Sequence, residues 1–331
     1  MKVSVLGAGA WGTSLAIVLH YNGHNVTLWE YKRSYAKTLI KKRENVIYLP
    51  GIELPDGMNI THDIDDAGHD KNMIILAIPS QFTRSVIKGI PYSEIKNSIL
   101  VSVSKGIENG SLMTMSQMIA DVYPEVSASQ IGVLSGPSHA EEVSRRIPTA
   151  VVAASTEPET SKSIQAAFMT SYFRVYSSTD ILGAELGGAF KNVIAIGAGI
   201  IDGAKFGDNT KAAIMTRGIA EIGRLGMAMG AKRETFAGLS GIGDLIVTCM
   251  SRHSRNRFVG EKVGSGVKLK DVLKKMDAVA EGVQTSKSAS ELARKHNVET
   301  PITNEVYKVL FEDKDPIKAT TDLMTRDMKT E

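Results

Sequence analysis

Lys2-Val-Ser-Val-Leu6 runs straight into Gly7-Ala8-Gly9-Ala10-Trp11-Gly12, and Gly12 to Tyr21 then places Leu15, Ile17, Val18 and Leu19 where one helical face can cover a sheet. This is G-x-G-x-x-G between a strand and a helix. The first glycine of such a turn allows the chain to reverse tightly, and the second lets an anionic group approach the backbone. The third packs helix on strand, with the helix N-terminus facing the anion. Asn22-Gly23-His24 stops the helix, and Asn25-Val-Thr-Leu-Trp-Glu30 supplies a second strand at the spacing of a βαβ unit. An acidic residue at the end of that strand, about twenty residues past the loop, completes the pattern of a dinucleotide-binding fold.

Working outward, apolar runs at Met73 to Ile78, Ile99 to Val103, Ile131 to Leu134 and Ala150 to Ala154 read as further buried strands separated by helical stretches. The expectation is an α/β, Rossmann-like, mostly parallel sheet with helices on both faces. After about Tyr176 the pattern changes to helix. Ala184 to Ile201, Thr210 to Met229, Lys268 to Met276, Gln284 to His296 and Asn304 to Phe311 have helical spacing, and Ser177-Ser178-Thr179-Asp180 offers cap chemistry before the first of them. A length of 331 residues allows two domains at roughly 150 residues each. The expected division is a dinucleotide-binding domain, 1–180, and an all-helical substrate-binding and catalytic domain, 181–331, packed closely together.

Composition removes several classes. There are 39 basic and 36 acidic residues, a net +3, too small a surplus to point to nucleic acid or a membrane surface, although it leaves room for a local basic pocket. The single cysteine, Cys249, cannot form an intrachain disulfide, and no Cys/His cluster has the spacing of a metal site, so no metal is expected. The chain enters a strand at Val3 without a signal-peptide succession, and the longest apolar runs fall short of the ~18 residues of a membrane span. A cytoplasmic protein without stable membrane insertion is the expectation.

Several polar residues stand where chemistry is possible. Lys105, in Ser102-Val-Ser-Lys105-Gly106, should lie at the carboxyl edge of the sheet, where it can neutralise an anion or remain a solvated charge. Gly136-Pro-Ser138-His139-Ala140 also follows a strand, and its turn can present amides and Ser138 to a ligand. His139 reads either as a general acid or as a pocket wall. Lys191 sits in Gly187-Gly-Ala-Phe-Lys191-Asn192-Val-Ile, a helix apolar on nearly every side. A lysine there must find a partner or ligand, or snorkel to the surface; burial favours the neutral amine, which suits proton transfer. Asn192 can orient a ligand or satisfy a neighbouring helix. Asp244, in Gly241-Ile-Gly-Asp244, can pair with Lys191 or Lys105. Ser254-Arg255-Asn256-Arg257 reads as a phosphate clamp or as a solvated helix start. Glu30 suits ribose hydroxyls, whereas Lys32 and Arg33 suit a 2′-phosphate or are solvent-facing charges, so NAD and NADP both stay open. Trp11 either closes over a ligand or packs between the domains.

These motifs together resemble the NAD(P)-dependent glycerol-3-phosphate dehydrogenases of the bacterial type. The resemblance covers nearly the whole chain: Gly-Ala-Gly-Ala-Trp-Gly at 7–12, Ser-Lys-Gly at 104–106, Gly-Pro-Ser-His-Ala-Glu-Glu at 136–142 and Phe-Lys-Asn-Val at 190–193. Gly-Ile-Gly-Asp-Leu at 241–245, Ser-Arg-Asn-Arg at 254–257 and Val-Ala-Glu-Gly-Val-Gln-Thr at 279–285 complete it in the right order. It implies reversible hydride transfer between dihydroxyacetone phosphate and sn-glycerol 3-phosphate, for phospholipid synthesis, with Lys191 as the proton-transferring residue. By resemblance Lys105, Gly136, Ser138, Lys191, Asp244, Ser254, Arg255 and Asn256 meet the small phosphorylated substrate. Gly7, Gly9, Ala10, Trp11, Gly12, Lys32, Lys105, Ala140, Arg255, Val279 and Glu281 meet NAD or NADP, and a homodimer is compatible with the family. The nearest enzyme rival, a β-hydroxyacid dehydrogenase, pairs its helix lysine with an asparagine four residues on, where this chain has Ala195. A nucleotide-sensing module without catalysis would have little use for a buried lysine and Asp244.

Overall fold

The computed structural model describes residues 1–276, 278–328 and 330. Its strands are β1 (Lys2–Leu6), β2 (Asn25–Trp29), β3 (Glu44–Asn45), β4 (Leu49–Glu53), β5 (Asn59–Thr61), β6 (Met73–Leu76), β7 (Ile99–Ser102), β8 (Ile131–Ser135), β9 (Thr149–Ala154) and β10 (Phe173–Ser178). Eight of them form one sheet in the order β10-β9-β8-β7-β6-β1-β2-β5, while β3 and β4 make a separate hairpin. Every neighbouring pair in the large sheet is parallel except β8 with β9.

The chain leaves β1 toward β2 and β5, then returns to β6 on the other side of β1. The strand order therefore reverses between β1 and β6, and the loops that follow β1, β6, β7 and β8 leave from one edge, where open α/β sheets bind ligands. Helix α1 (Ala10–Tyr21) buries Leu15, Ala16, Ile17, Val18 and Leu19 with Val3, Val5, Val26 and Leu28 on one face of the sheet. Leu6, Ile74 and Leu76 join Met115, Met118 and Ile119 on the other. Removing one of these side chains, as in Leu15→Ala, costs about 2–5 kcal/mol. The sheet is coated on both faces, so the strands read as unbroken apolar runs.

The other helices used below are α2 (Ile181–Gly203), α3 (Asp208–Ala228), α4 (Asp244–Met250), α5 (Arg255–Gly264), α6 (Glu281–Lys295), α7 (Pro301–Phe311) and α8 (Pro316–Met324). Asp180 caps α2, its Oδ1 accepting a hydrogen bond from the Gly183 amide at 3.0 Å. Among the described residues α2 is the one helix long and apolar enough to cross a membrane, and its apolar window is wholly buried. Glycines set its packing. A Cβ on Gly199 would meet the Arg257 carbonyl oxygen at 2.0 Å, and one on Gly260 would meet that of Ile196 at 2.0 Å, so α2 and α5 cross backbone to backbone.

Chain contacts divide the protein into two compact units, 1–105 with 113–185, and 106–112 with 186–331. The division falls inside α2 rather than before it. The short segment 106–112 joins the second unit because Asn109 donates to Gln284 Oε1 at 3.0 Å and Ser288 to the Ile107 carbonyl at 3.5 Å.

Candidate active site

In the first unit the glycine loop has the shape its sequence implies. Gly7 has φ +114°, and a Cβ there would lie 2.5 Å from the Ala77 carbonyl oxygen; a Cβ on Gly12 would lie 2.0 Å from that of Gly7. Gly9 differs from both: its Cβ position has nothing within 4 Å. Gly9 is also the N-cap of α1 and supplies no side-chain cap, so the helix N-terminus with its Ala10 and Trp11 amides is open to an anion. These residues fit a dinucleotide pyrophosphate.

The neighbouring loops are tied to this edge. Ser14 on α1 donates to the Ala140 carbonyl at 2.9 Å, joining the glycine-loop helix to the turn after β8. Lys105, half-buried after β7, donates through Nζ to the Gly136 carbonyl at 2.9 Å, and Ser138 Oγ donates to the same oxygen at 3.0 Å. Gly136 has φ +141°, a conformation open mainly to glycine, with Val151 Cα 3.0 Å from its Cβ position. His139 is the half-buried residue that begins the short helix Ala140–Val143.

Glu30 is buried at the end of β2, and its Oε1 accepts the Lys32 amide at 2.9 Å; burial pushes its carboxyl above the usual range. Lys32 and Arg33 are exposed at the start of the helix Arg33–Lys42. Trp11 packs within the first unit, its ring 6.5 Å from that of Phe173.

In the second unit the buried lysine has its partners. Lys191, 6% exposed, places Nζ 2.5 Å from Asp244 Oδ1 and 2.5 Å from Thr248 Oγ1, and Asp244 is 1% exposed. Thr248 donates to the Asp244 carbonyl at 2.6 Å, which leaves its oxygen lone pair for the ammonium. Gly187, one turn before Lys191, makes this possible. A Cβ there would meet the Ser240 carbonyl oxygen at 2.3 Å, so only glycine lets the 239–243 turn approach and deliver Asp244 at the start of α4. Of the pairings open to Asp244 from sequence, the one with Lys191 is formed.

A second polar chain runs alongside. Asn256 Nδ2 donates to Asn192 Oδ1 at 2.8 Å, while its Oδ1 accepts the Gly282 amide at 2.9 Å. Three helices are thereby pinned together: α2 beside Lys191, α5 at its first turn, and α6 beside Glu281. Ser254 caps α5 by accepting the Arg257 amide at 3.2 Å, Arg255 is exposed at its N-terminus, and Arg257 is committed to Asp202, with Nε 2.7 Å from Oδ2. The helix start, the exposed guanidinium and the second hydrogen of Asn256 Nδ2 suit a phosphate. Val279 is exposed and Glu281 half-buried at the beginning of α6.

Thr248 was not singled out from sequence. Its signal was there, because position i+4 from Asp244 on a helix faces the same side. Cys249 beside it is buried, which pushes its thiol up to about 12, so it is no nucleophile at neutral pH. Among the described residues no three His, Cys, Asp or Glu side chains cluster as a metal site.

Comparison with known proteins finds matches to both the N-terminal and the C-terminal part of the chain. The family described as NAD-dependent glycerol-3-phosphate dehydrogenase N-terminus matches residues 2–161, and its C-terminus counterpart matches residues 180–321. The glycerol-3-phosphate dehydrogenase [NAD(P)+] of Prosthecochloris aestuarii is 51% identical over 331 residues, covering 100% of each chain. That of Geobacter sulfurreducens is 50% identical over 330 residues, 100% of this chain and 98% of the relative. The crystal structure of glycerol-3-phosphate dehydrogenase from Coxiella burnetii is 36% identical and superposes with a TM-score of 0.92 over 98% of this chain and 99% of that one. With a pyrophosphate-shaped glycine loop in one unit and a carboxylate-held lysine in the other, the chain belongs to the NAD-dependent glycerol-3-phosphate dehydrogenase family.

Proposed function

We propose that this chain reversibly reduces dihydroxyacetone phosphate to sn-glycerol 3-phosphate with NADH or NADPH. The observation that carries the reading is Lys191: an ammonium buried mid-helix and fixed by Asp244 and Thr248, in a chain of this family. Residues 1–180 serve chiefly the dinucleotide, and residues 181–331 supply the proton-transferring lysine and most of the substrate's partners.

The nicotinamide, when bound, supplies or accepts the hydride. Lys191 Nζ donates a proton to the developing alkoxide in reduction and takes it back in oxidation. Asp244 and Thr248 hold the ammonium so that no reorganisation is needed as charge develops. Lys105, Gly136 and Ser138 line the substrate. Ser254, Arg255 and Asn256 bind its phosphate, and binding that remote group orients the carbonyl. Gly7, Gly9, Ala10, Trp11 and Gly12, with Lys32, Ala140, Val279 and Glu281, contact the dinucleotide, Lys105 and Arg255 touching it as well. The same reading gives a cytoplasmic homodimer supplying glycerol phosphate for phospholipids.

The test follows reduced-nicotinamide absorbance with dihydroxyacetone phosphate against unphosphorylated dihydroxyacetone. Oxidation with the phosphorylated ketone alone is expected; no oxidation with either dinucleotide would overturn the reading.

A further inference from the structure

Asn45 lies well apart in sequence from the glycine loop, on the two-residue strand β3, yet its side chain is 0% exposed. All four of its hydrogen-bonding positions are used. Nδ2 donates to the Ala8 carbonyl at 2.8 Å and to Thr13 Oγ1 at 2.7 Å. Oδ1 accepts the Tyr35 hydroxyl at 2.6 Å and the Tyr48 amide at 3.1 Å. The backbone partners fix which end is which, because a carbonyl can only accept and an amide N–H can only donate.

The Ala8 contact matters because of peptide geometry. In a planar trans peptide the carbonyl of residue 8 and the N–H of residue 9 point to opposite sides, and no cis peptide bond occurs among the described residues. Holding the Ala8 oxygen inward therefore aims the Gly9 N–H the other way. Thr13 lies in the first turns of α1, and Tyr35 lies in the helix that begins beside Lys32. One buried amide thus ties the glycine loop and α1 to the helix that follows the ribose-side strand.

We propose that Asn45 is a positioning residue for the dinucleotide: it fixes the Ala8–Gly9 peptide so that the Gly9 amide presents to the pyrophosphate, and it locks that loop to the helix bearing Tyr35. This rests on the dinucleotide reading of the glycine loop. Its chemistry is preorganisation; the loop pays no ordering cost when the anion arrives.

The test measures NADH and NADPH affinity by titration calorimetry on the full chain, for wild type, Asn45→Asp and Tyr35→Phe. Asn45→Asp removes both donors, and Tyr35→Phe removes one hydroxyl and leaves the donors in place. Asn45→Asp is expected to weaken dinucleotide binding roughly 10-fold or more, with the KM for dihydroxyacetone phosphate at saturating dinucleotide unmoved. Tyr35→Phe should move affinity in the same direction by less. Without any dinucleotide, amide exchange in the glycine loop should speed up in both variants while β7 stays protected. Dinucleotide affinity and loop exchange equal to wild type in a folded Tyr35→Phe and Asn45→Asp would overturn the proposal. Failure of the wild type to bind either dinucleotide would instead overturn the reading beneath it.

Discussion

Lys191 Nζ and Asp244 Oδ1 lie 2.5 Å apart, both almost fully buried, the lysine from the middle of α2 and the aspartate from the first residue of α4. Breaking such a pair from one side leaves an uncompensated charge, which typically costs about 3–5 kcal/mol. Lys191→Met is therefore expected to lower turnover about 10²–10⁴-fold and also to destabilise the protein. Adding Asp244→Asn should restore most of the stability and none of the turnover. Denaturant unfolding alongside kinetics checks this; recovery of activity in the double variant would contradict a proton-transfer role.

The glycines of the loop separate folding from binding. Gly12→Ala would drive a Cβ to 2.0 Å from the Gly7 carbonyl oxygen and should prevent normal folding. Gly9→Ala meets nothing within 4 Å and has φ −71°, so the protein should keep its melting temperature. It should nonetheless lose dinucleotide affinity, by about 10-fold or more, because the methyl group occupies the approach of the pyrophosphate. A Gly9→Ala variant that binds NADH and NADPH normally would remove the reason for that glycine.

Arg255 is exposed where Arg257 is committed to Asp202. Arg255→Ala should cut kcat/KM for dihydroxyacetone phosphate by about 10- to 100-fold, the range of a charged hydrogen bond. Stability should change little. Steady-state kinetics and thermal melting distinguish this from a structural role, in which both would fall together.

Glu221 on α3 accepts the Ile302 amide at 2.8 Å and the Thr303 amide at 3.2 Å, capping α7, and burial pushes its carboxyl up to about 7. Its folded value exceeds its ordinary 4.5, so the folded state binds more protons between the two and stability falls as pH rises through that window. The contribution is about 3 kcal/mol across the interval. Glu221→Gln should flatten the dependence of unfolding free energy on pH between 5 and 8. An unchanged slope would mean that other groups set it.

Most of the sheet was legible because buried parallel strands are continuous apolar runs, and the glycine loop announced itself by spacing. What was missed was short, or lay at the sheet's margins. The strand Asn59–Thr61 and the hairpin strand Glu44–Asn45 carry too few apolar residues to show a period, and β10 reads as polar alternation, Phe173-Arg-Val-Tyr-Ser-Ser. Helix α8 also escaped, though Asp315 before Pro316 is an N-cap followed by proline at the first helical position. Within the site, the need of Lys191 for a partner followed from its apolar surroundings, but the choice of Asp244 did not, since it depends on Gly187 admitting the Ser240 backbone. Asn45 was invisible for a similar reason: only the folded hairpin brings it under Ala8.

The most direct measurement is the rate of NADH or NADPH oxidation by the purified chain with dihydroxyacetone phosphate, run beside Lys191→Ala. Rapid oxidation by the wild type, lost in the variant while dinucleotide binding persists, is the predicted result. Equal rates in the two proteins would contradict the assignment of Lys191 as the residue that carries the proton.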